Sequence, residues 1–150
     1  MKKLTYSGKY KIKNPEKYLG DHENIVYRSS WEKAAFLWAD KNPDVVEWSS
    51  EEVVVPYYYP LDKRMHRYFV DIYLKFRDGN VILVEIKPRK ETKRPRKSKK
   101  KKRGKYLQEA ATYMKNQSKW SAATKYAEER GWKFQVWDEH FLKKAKILKW

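Results

Sequence analysis

The sequence contains no cysteine, which removes disulfides, thiolate zinc sites and thiol nucleophiles together. Its three histidines, His22, His66 and His140, are too few and too scattered for a His-rich metal centre. No apolar run exceeds a few residues, so no segment reads as a membrane span. Met1-Lys2-Lys3-Leu4 has the charge of a signal n-region, but Thr5-Tyr6-Ser7-Gly8-Lys9 follows where an apolar stretch is needed. The expected setting is a cytoplasm-like compartment, with no membrane and no small-molecule cofactor. Acid is scarce as well: 19 Asp+Glu face 36 Lys+Arg, a formal charge of +17 that should draw the surface to polyanions.

Large rings, by contrast, are plentiful: 7 Trp, 12 Tyr and 5 Phe among 150 residues. A chain this aromatic is not wholly disordered. Its length suits one domain, able to bury about 68–70% of its unfolded surface.

The charge is concentrated. Between Lys87 and Lys105 stand 13 Lys/Arg and one acid, Glu91, so this stretch holds +12 of the +17. Arg89 to Arg103 includes Pro95 and no apolar residue, so it cannot form core. Residues 89–104 therefore read as a mobile basic insertion within the fold. A solubilising or nuclear-import-like patch is one reading. The favoured one is nucleic-acid contact by Arg89, Lys90, Lys93, Arg94, Arg96, Lys97, Lys99, Lys100, Lys101, Lys102, Arg103 and Lys105, since each phosphate neutralised releases counterions. Charge alone does not separate DNA from RNA.

Residues 1–28 read as an irregular arm lying partly on the body. A helix is predicted at 29–40, with Trp31, Ala34, Ala35 and Trp38 on one face and Ser29 and Glu32 at capping-box spacing. Asn42-Pro43 stops it. Val53 to Tyr59 reads as a strand that Pro56 confines to an edge or bulge. Arg67 to Phe76 and Val81 to Lys87 read as two strands around Asp78-Gly79. Helices are expected over 105–116 and 121–130, with Gly131 past the second. A strand over 132–137 and a short helix over 138–147 complete an α-β-β-β-α-β order, with 105–150 supplying helices and the last strand.

Strands two and three carry the chemistry. Their even positions are apolar, so Asp71, Glu85 and Lys87 point away from that face. A three-residue loop Arg77-Asp78-Gly79 pairs residues whose numbers sum to 156, which aligns the apolar faces and sets Asp71 opposite Glu85. Opposed carboxylates repel. A divalent cation relieves that, and hard oxygen donors without His or Cys favour Mg²⁺ or Mn²⁺. Lys87 shares the face, where a cation can steady a phosphate's developing charge or orient a water. A plain salt-bridge cluster of the same three residues fits the spacing too. Glu32 is fully explained as a capping residue, and becomes a ligand only if its helix turn packs near the hairpin. Lys105 and Gln108 open the next helix, where they could contact phosphate.

Together these residues resemble a known group. Tyr27-Arg28-Ser29-Ser30-Trp31-Glu32, then Asn42-Pro43, Val45, Trp48 and Glu51, resemble the N-terminal nuclease domain of TnsA-type transposase subunits. Asp71 and the Gly79…Glu85-Ile86-Lys87-Pro88 hairpin fit the same pattern over about residues 25–90, and the later helix and Gly131-Trp132 strand fit it weakly. That domain belongs to the PD-(D/E)XK nuclease superfamily, with a restriction-endonuclease-like α/β core. Size, basic segment and lone domain are also similar to the head completion nucleases of T-even-type tailed phages. The resemblance implies a metal-dependent DNA nuclease. It makes Asp71, Glu85 and Glu32 ligands of Mg²⁺ or Mn²⁺, and Lys87 the catalytic lysine. It further implies trimming of packaged DNA before head–tail joining, with phage head, portal or neck proteins as partners, in the host cytoplasm or on the virion. One departure is Val70, where the superfamily's name has Pro. A non-catalytic DNA-binding neck or head protein on the same fold, or an RNA-binding protein, would share the charge without needing the acids.

Overall fold

In the computed structural model, which describes residues 6–149, the chain runs β1 (Gly8–Lys9), β2 (Val26–Tyr27), α1 (Ser30–Lys41), β3 (Val45–Ser49), β4 (Val54–Tyr59) and β5 (Arg64–Phe69). It continues through β6 (Ile72–Phe76), β7 (Val81–Ile86), α2 (Arg103–Glu129), β8 (Lys133–Trp137) and α3 (Glu139–Lys144). Residues 1–5 of the expected arm, and Trp150, lie outside the described residues.

A four-stranded sheet in the order β3-β6-β7-β8 organises the molecule. β3, β6 and β7 are antiparallel neighbours, and β8 adds parallel to β7. A parallel neighbour needs a crossover, and α2 provides it. The sheet is mixed and flanked by helices, the restriction-endonuclease-like α/β core expected.

The β6–β7 register is Ile72↔Val84, Tyr73↔Leu83, Leu74↔Ile82 and Lys75↔Val81, the predicted pairing. Its loop closes by Phe76 N–H to Asn80 O at 2.8 Å and Gly79 N–H to Phe76 O at 2.9 Å. Gly79 sits at φ 92°, in the left-handed region where a β-carbon would be strained.

Alternation sends the two sheet faces into separate cores. Ile72, Leu74, Val84 and Ile86 pack toward α1 around Trp48, which meets Tyr10, Tyr18 and Phe36 at ring-centroid distances of 6.0, 4.9 and 5.4 Å. Tyr73, Val81 and Leu83 pack with Val55, Tyr57 and Tyr68 of the β4–β5 hairpin and with Ala123 and Ala127 of α2. The odd face was expected to lie away from the core. It is a second core, and the unbroken apolar run Val81–Val84 is the signature of a strand covered on both sides.

Four expected element boundaries change. The first core strand is Val45–Ser49, while Val54–Tyr59 pairs with Arg64–Phe69 in a separate hairpin whose two strands are both edges, as Pro56 requires. The expected strand Arg67–Phe76 breaks at Val70-Asp71, where the chain leaves that hairpin for the main sheet. The two helices over 105–116 and 121–130 are one, Arg103–Glu129. No Gly or Pro interrupts residues 115–121, and packing carries the helix through the weak formers Asn116 and Ser118, with Asn116 turned inward and buried. The basic segment consequently ends at Lys102, two residues before the expected boundary. Gly131 stands just past α2 at φ 76°, as its expected cap position demands.

The segment before α1 is more than an arm lying partly on the body. β1 pairs with β2, and Tyr10, Tyr18, Ile25 and Tyr27 enter the α1-side core. Asp40, fully buried, accepts from Tyr10 Oη at 2.7 Å, Lys13 N–H at 2.8 Å and Asn14 N–H at 2.9 Å. Lys17 Nζ donates to the carbonyls of Ala39, Asp40 and Asn42 at 2.7–2.9 Å, satisfying the orphan acceptors at the end of α1. This attachment fixes the helix whose other end carries Glu32.

Candidate active site

Three structural elements deliver one acid each to the same end of the sheet. Ser29 caps α1, accepting from Glu32 N–H at 3.1 Å. Glu32 Oε1 in turn accepts from Arg28 N–H at 2.9 Å, so the carboxyl is drawn back over the helix start. Asp71 stands at the β5–β6 junction, where Val70 N–H bonds Val53 O and Val70 O accepts from Glu51 N–H, both at 3.0 Å. Its Oδ2 accepts from Ile86 N–H at 2.8 Å, taking the place of a ladder bond and fixing the side chain against β7. Glu85, 5% exposed, is the buried acid of β7. Tyr68 Oη donates to Glu85 Oε1, and Lys87 Nζ lies 3.6 Å from Glu85 Oε2.

The carboxyls feel one another. Burial raises the Asp71 pKa well above the ordinary Asp range, and the charges of Glu85 and Glu32 push it further in the same direction. Burial likewise raises Glu32, with Glu51 and Glu85 adding to it, against the Arg28 N–H bond. The Tyr68 hydroxyl is held far above its usual value by burial, then by Glu85 and Asp71, so it remains a neutral donor that orients Glu85. The causes of these shifts place Glu85 and Glu32 close enough to Asp71 for their charges to act on it.

Among the described residues, no three or more His, Cys, Asp or Glu side chains are already gathered closely enough to hold an ion. Each acid instead has an oxygen engaged by a local donor. The donor set still fits a hard divalent cation: all the candidate donor atoms are oxygen, three chain elements contribute, and the mutual repulsion is what a cation would relieve.

Of the other residues expected at the site, Arg89 forms a 3₁₀ turn with its neighbours, donates its N–H to Glu139 Oε1 at 2.8 Å and lies 3.8 Å from Asp138 Oδ2. Lys101 is bound to Glu109 at 2.7 Å. Lys90, Lys93, Arg94, Arg96, Lys105 and Gln108 line a groove between the basic segment and α2. Lys97, Lys99, Lys100, Lys102 and Arg103 are exposed.

Three residues near the acids escaped sequence reasoning. Arg28 holds Glu51 in a two-point contact, Nε to Oε2 at 2.7 Å and Nη2 to Oε1 at 3.0 Å. That contact ties the start of α1 to the β3–β4 link at Glu51, whose φ of 58° is left-handed. Tyr68 supplies the donor to Glu85. Lys119, half-buried on α2, places Nζ 5.4 Å from the Tyr68 ring centroid. Burial lowers its pKa, opposed by Glu85 and Asp71 and assisted by Lys87 and Lys115. Lys119 fell in the presumed gap between two helices. Read as one helix, it continues the polar face of Asn116 by one turn.

A family model described as TnsA-like endonuclease N terminal matches residues 42–139. The match starts after α1, so Glu32 lies outside it, and it extends through α2 and β8, the later helix and strand to which the resemblance reached only weakly. The head completion nuclease of Enterobacteria phage T4 is 43% identical over 145 residues, covering 93% of this chain and 95% of that protein. No solved structure gives a significant match.

Proposed function

The chain belongs to the TnsA-like endonuclease family, and from that premise we propose that it is a divalent-metal-dependent DNA nuclease. The observation that carries the proposal is the convergence of Glu32, Asp71 and Glu85 beside Lys87, from α1, the β5–β6 junction and β7. Asp71, Glu85 and Glu32 would hold Mg²⁺ or Mn²⁺, which supplies Lewis acidity toward the scissile phosphate.

The rest of the chemistry belongs to the chain. Tyr68 fixes one oxygen of Glu85, and Ile86 N–H fixes one of Asp71, so each acid presents its other oxygen in a set direction. Lys87, near Glu85 and partly exposed, moves onto the phosphate and offsets the charge that develops as water attacks phosphorus. One P–O bond forms, one P–O bond to a sugar oxygen breaks, and the water's proton ends on that oxygen. Lys119 faces the acids from α2 and offers a second cation to the phosphate. The basic segment grips backbone without reading sequence.

By extension from the relative's name, the step served is head completion; what the phage resemblance adds is trimming of packaged DNA before tail joining, with head, portal or neck proteins as partners in the host cytoplasm or on the virion. The test is a cleavage assay on DNA and on RNA with Mg²⁺, Mn²⁺ or chelator, with Glu85→Ala alongside. Metal-dependent DNA cleavage that Glu85→Ala abolishes is expected. The basic segment, which could hold DNA without any of the acids, favours one rival, a DNA-binding structural protein that has kept the fold. Wild type and Glu85→Ala that behave alike would establish that rival.

A further inference from the structure

A groove of about 690 Å³ lies between the basic segment and α2. One wall is a single helix face, because Lys105, Gln108, Glu109, Thr112, Tyr113 and Asn116 recur at spacings of three and four. At 1.5 Å per residue this face runs roughly 16 Å along the axis. The facing wall is the basic segment, through Lys90, Lys93, Arg94 and Arg96.

The segment is pinned at both ends. At its start, Arg89 is held by Glu139 and Asp138 beside α3. Near its end, Lys101 Nζ donates to Glu109 Oε1 and to Arg96 O, each at 2.7 Å. It therefore forms a strap across the face of α2, in contrast to the mobile insertion expected from its composition.

The lining is cationic. Its only acids are Glu91 and Glu109, and Glu109 is already paired with Lys101. Gln108, Thr112 and Asn116 add neutral hydrogen-bonding groups, and Tyr113 adds a ring on which a base can stack. Positive charge tracking a backbone, with an aromatic among it, is how single strands are held.

Size and enclosure select the strand number. A helix reads duplex by entering its major groove, about 12 Å wide, from outside. Here the strap walls one side of the helix face and leaves a half-open groove of small-ligand size, within about 300–1,000 Å³. A space of that size, walled by the strap, suits one sugar–phosphate strand better than a duplex. The groove's inner end is the buried Asn116. One helical turn further, Lys119 stands against Tyr68 and faces Glu85 and Asp71.

We infer that the strap and α2 form a channel that threads a single DNA strand toward the carboxylate cluster, so that single-stranded or overhanging ends are preferred to blunt duplex. The cleavage part of this inference rests on the proposed nuclease activity, whereas the binding part does not.

Fluorescence anisotropy in chelator, with a labelled single-stranded oligonucleotide and the blunt duplex of the same sequence, measures binding without cleavage. The strand is expected to bind at least about tenfold more tightly, and Tyr113→Ala to weaken strand binding about tenfold while leaving duplex binding unchanged. Gln108→Glu, at an exposed position, puts a negative charge in the groove and should weaken strand binding even if Tyr113→Ala fails to fold. With Mg²⁺, an overhang should be removed before the duplex beneath it. Equal affinity for strand and duplex, or losses shared equally by both, would overturn the channel. Strand preference without cleavage of any DNA in any metal would sink the nuclease activity and leave the channel standing.

Discussion

The two faces of the central sheet treat buried charge in opposite ways. On the α1 side the buried acid is Asp40, whose two oxygens receive three donors within 2.9 Å, amid the rings around Trp48. On the α2 side Glu85 is buried, Asp71 is pushed up by burial and then by Glu85 and by Glu32, which reaches in from the start of α1, and Lys119 and Lys87 stand nearby. One strand, β7, feeds both faces, with Val84 and Ile86 to the first and Leu83 to the second. The difference teaches where the fold is optimised for stability and where it tolerates instability. Satisfied charge marks the scaffold, and repelling charge at the same sheet marks the site.

The sharpest test of that contrast removes one acid from the strained face. Asp71→Asn keeps an oxygen to accept from Ile86 N–H and deletes the repulsion with Glu85 and Glu32. Cleavage should fall on the order of 10³-fold, while Tm rises by about 2–4 °C for each ~1 kcal/mol gained. Saturating Mn²⁺ should raise the wild-type Tm and leave that of the variant unmoved. A variant that loses stability with its activity would turn Asp71 into part of a structural salt-bridge cluster. The mirror experiment is Asp40→Ala. It strands Tyr10 Oη and two backbone N–H groups, so urea unfolding should show a loss of about 3–5 kcal/mol. Any activity left per folded molecule should be unchanged.

The faces should also differ in their response to pH. Asp71 and Glu32 titrate higher in the folded chain than in the unfolded one. Between the two values the folded state holds more protons, so stability falls as pH rises. The contribution is fully present below the ordinary carboxylate values of 3.8 and 4.5 and is lost as pH climbs through the raised folded values. Thermal melts across that window should decline for wild type and decline less for Asp71→Asn. Equal slopes would mean that Asp71 is not strained.

Much of this arrangement was legible in the residues. The β6–β7 register followed from loop length and burial together, since a two-residue loop at Asp78-Gly79 sets apolar Ile86 on a face with Asp71. The capping spacing of Ser29 and Glu32 fixed the start of α1 because local hydrogen bonds decide it. What local pattern could not show was coverage. Val54–Tyr59 has the composition of a core strand, and nothing in it says that its partner is Arg64–Phe69 and not the main sheet. Likewise Asn116 and Ser118 are weak helix formers, and only packing on the β4–β5 hairpin and β8 carries α2 through them. Lys119 lies in that stretch, so its place against Tyr68 follows only from the continuous helix. The strap is illegible in composition for a related reason: composition reports charge, and the Lys101–Glu109 contact that pins the strap is a tertiary event.

Lys119 gives the finest test, because it bears on whether the α2 face is a site or merely an imperfect core. A half-buried lysine beside buried carboxylates can serve the fold, by neutralising them, or the reaction, by meeting a phosphate. Lys119→Gln separates the two. If Lys119 serves the acids, its loss leaves Glu85 and Asp71 more exposed to one another, and Tm should fall. If it serves the phosphate, Tm should hold within about 1 °C, consistent with the small net worth of a desolvated ammonium. The Mn²⁺-induced rise in Tm should persist, since no ligand is lost. Cleavage should drop about tenfold, the scale of removing one supporting electrostatic contact. Lys119→Arg keeps the charge but not the compact ammonium, so it should recover part of that loss. A fall in Tm without a fall in rate would assign Lys119 to the scaffold, and the contrast between the two faces would then end at Glu85.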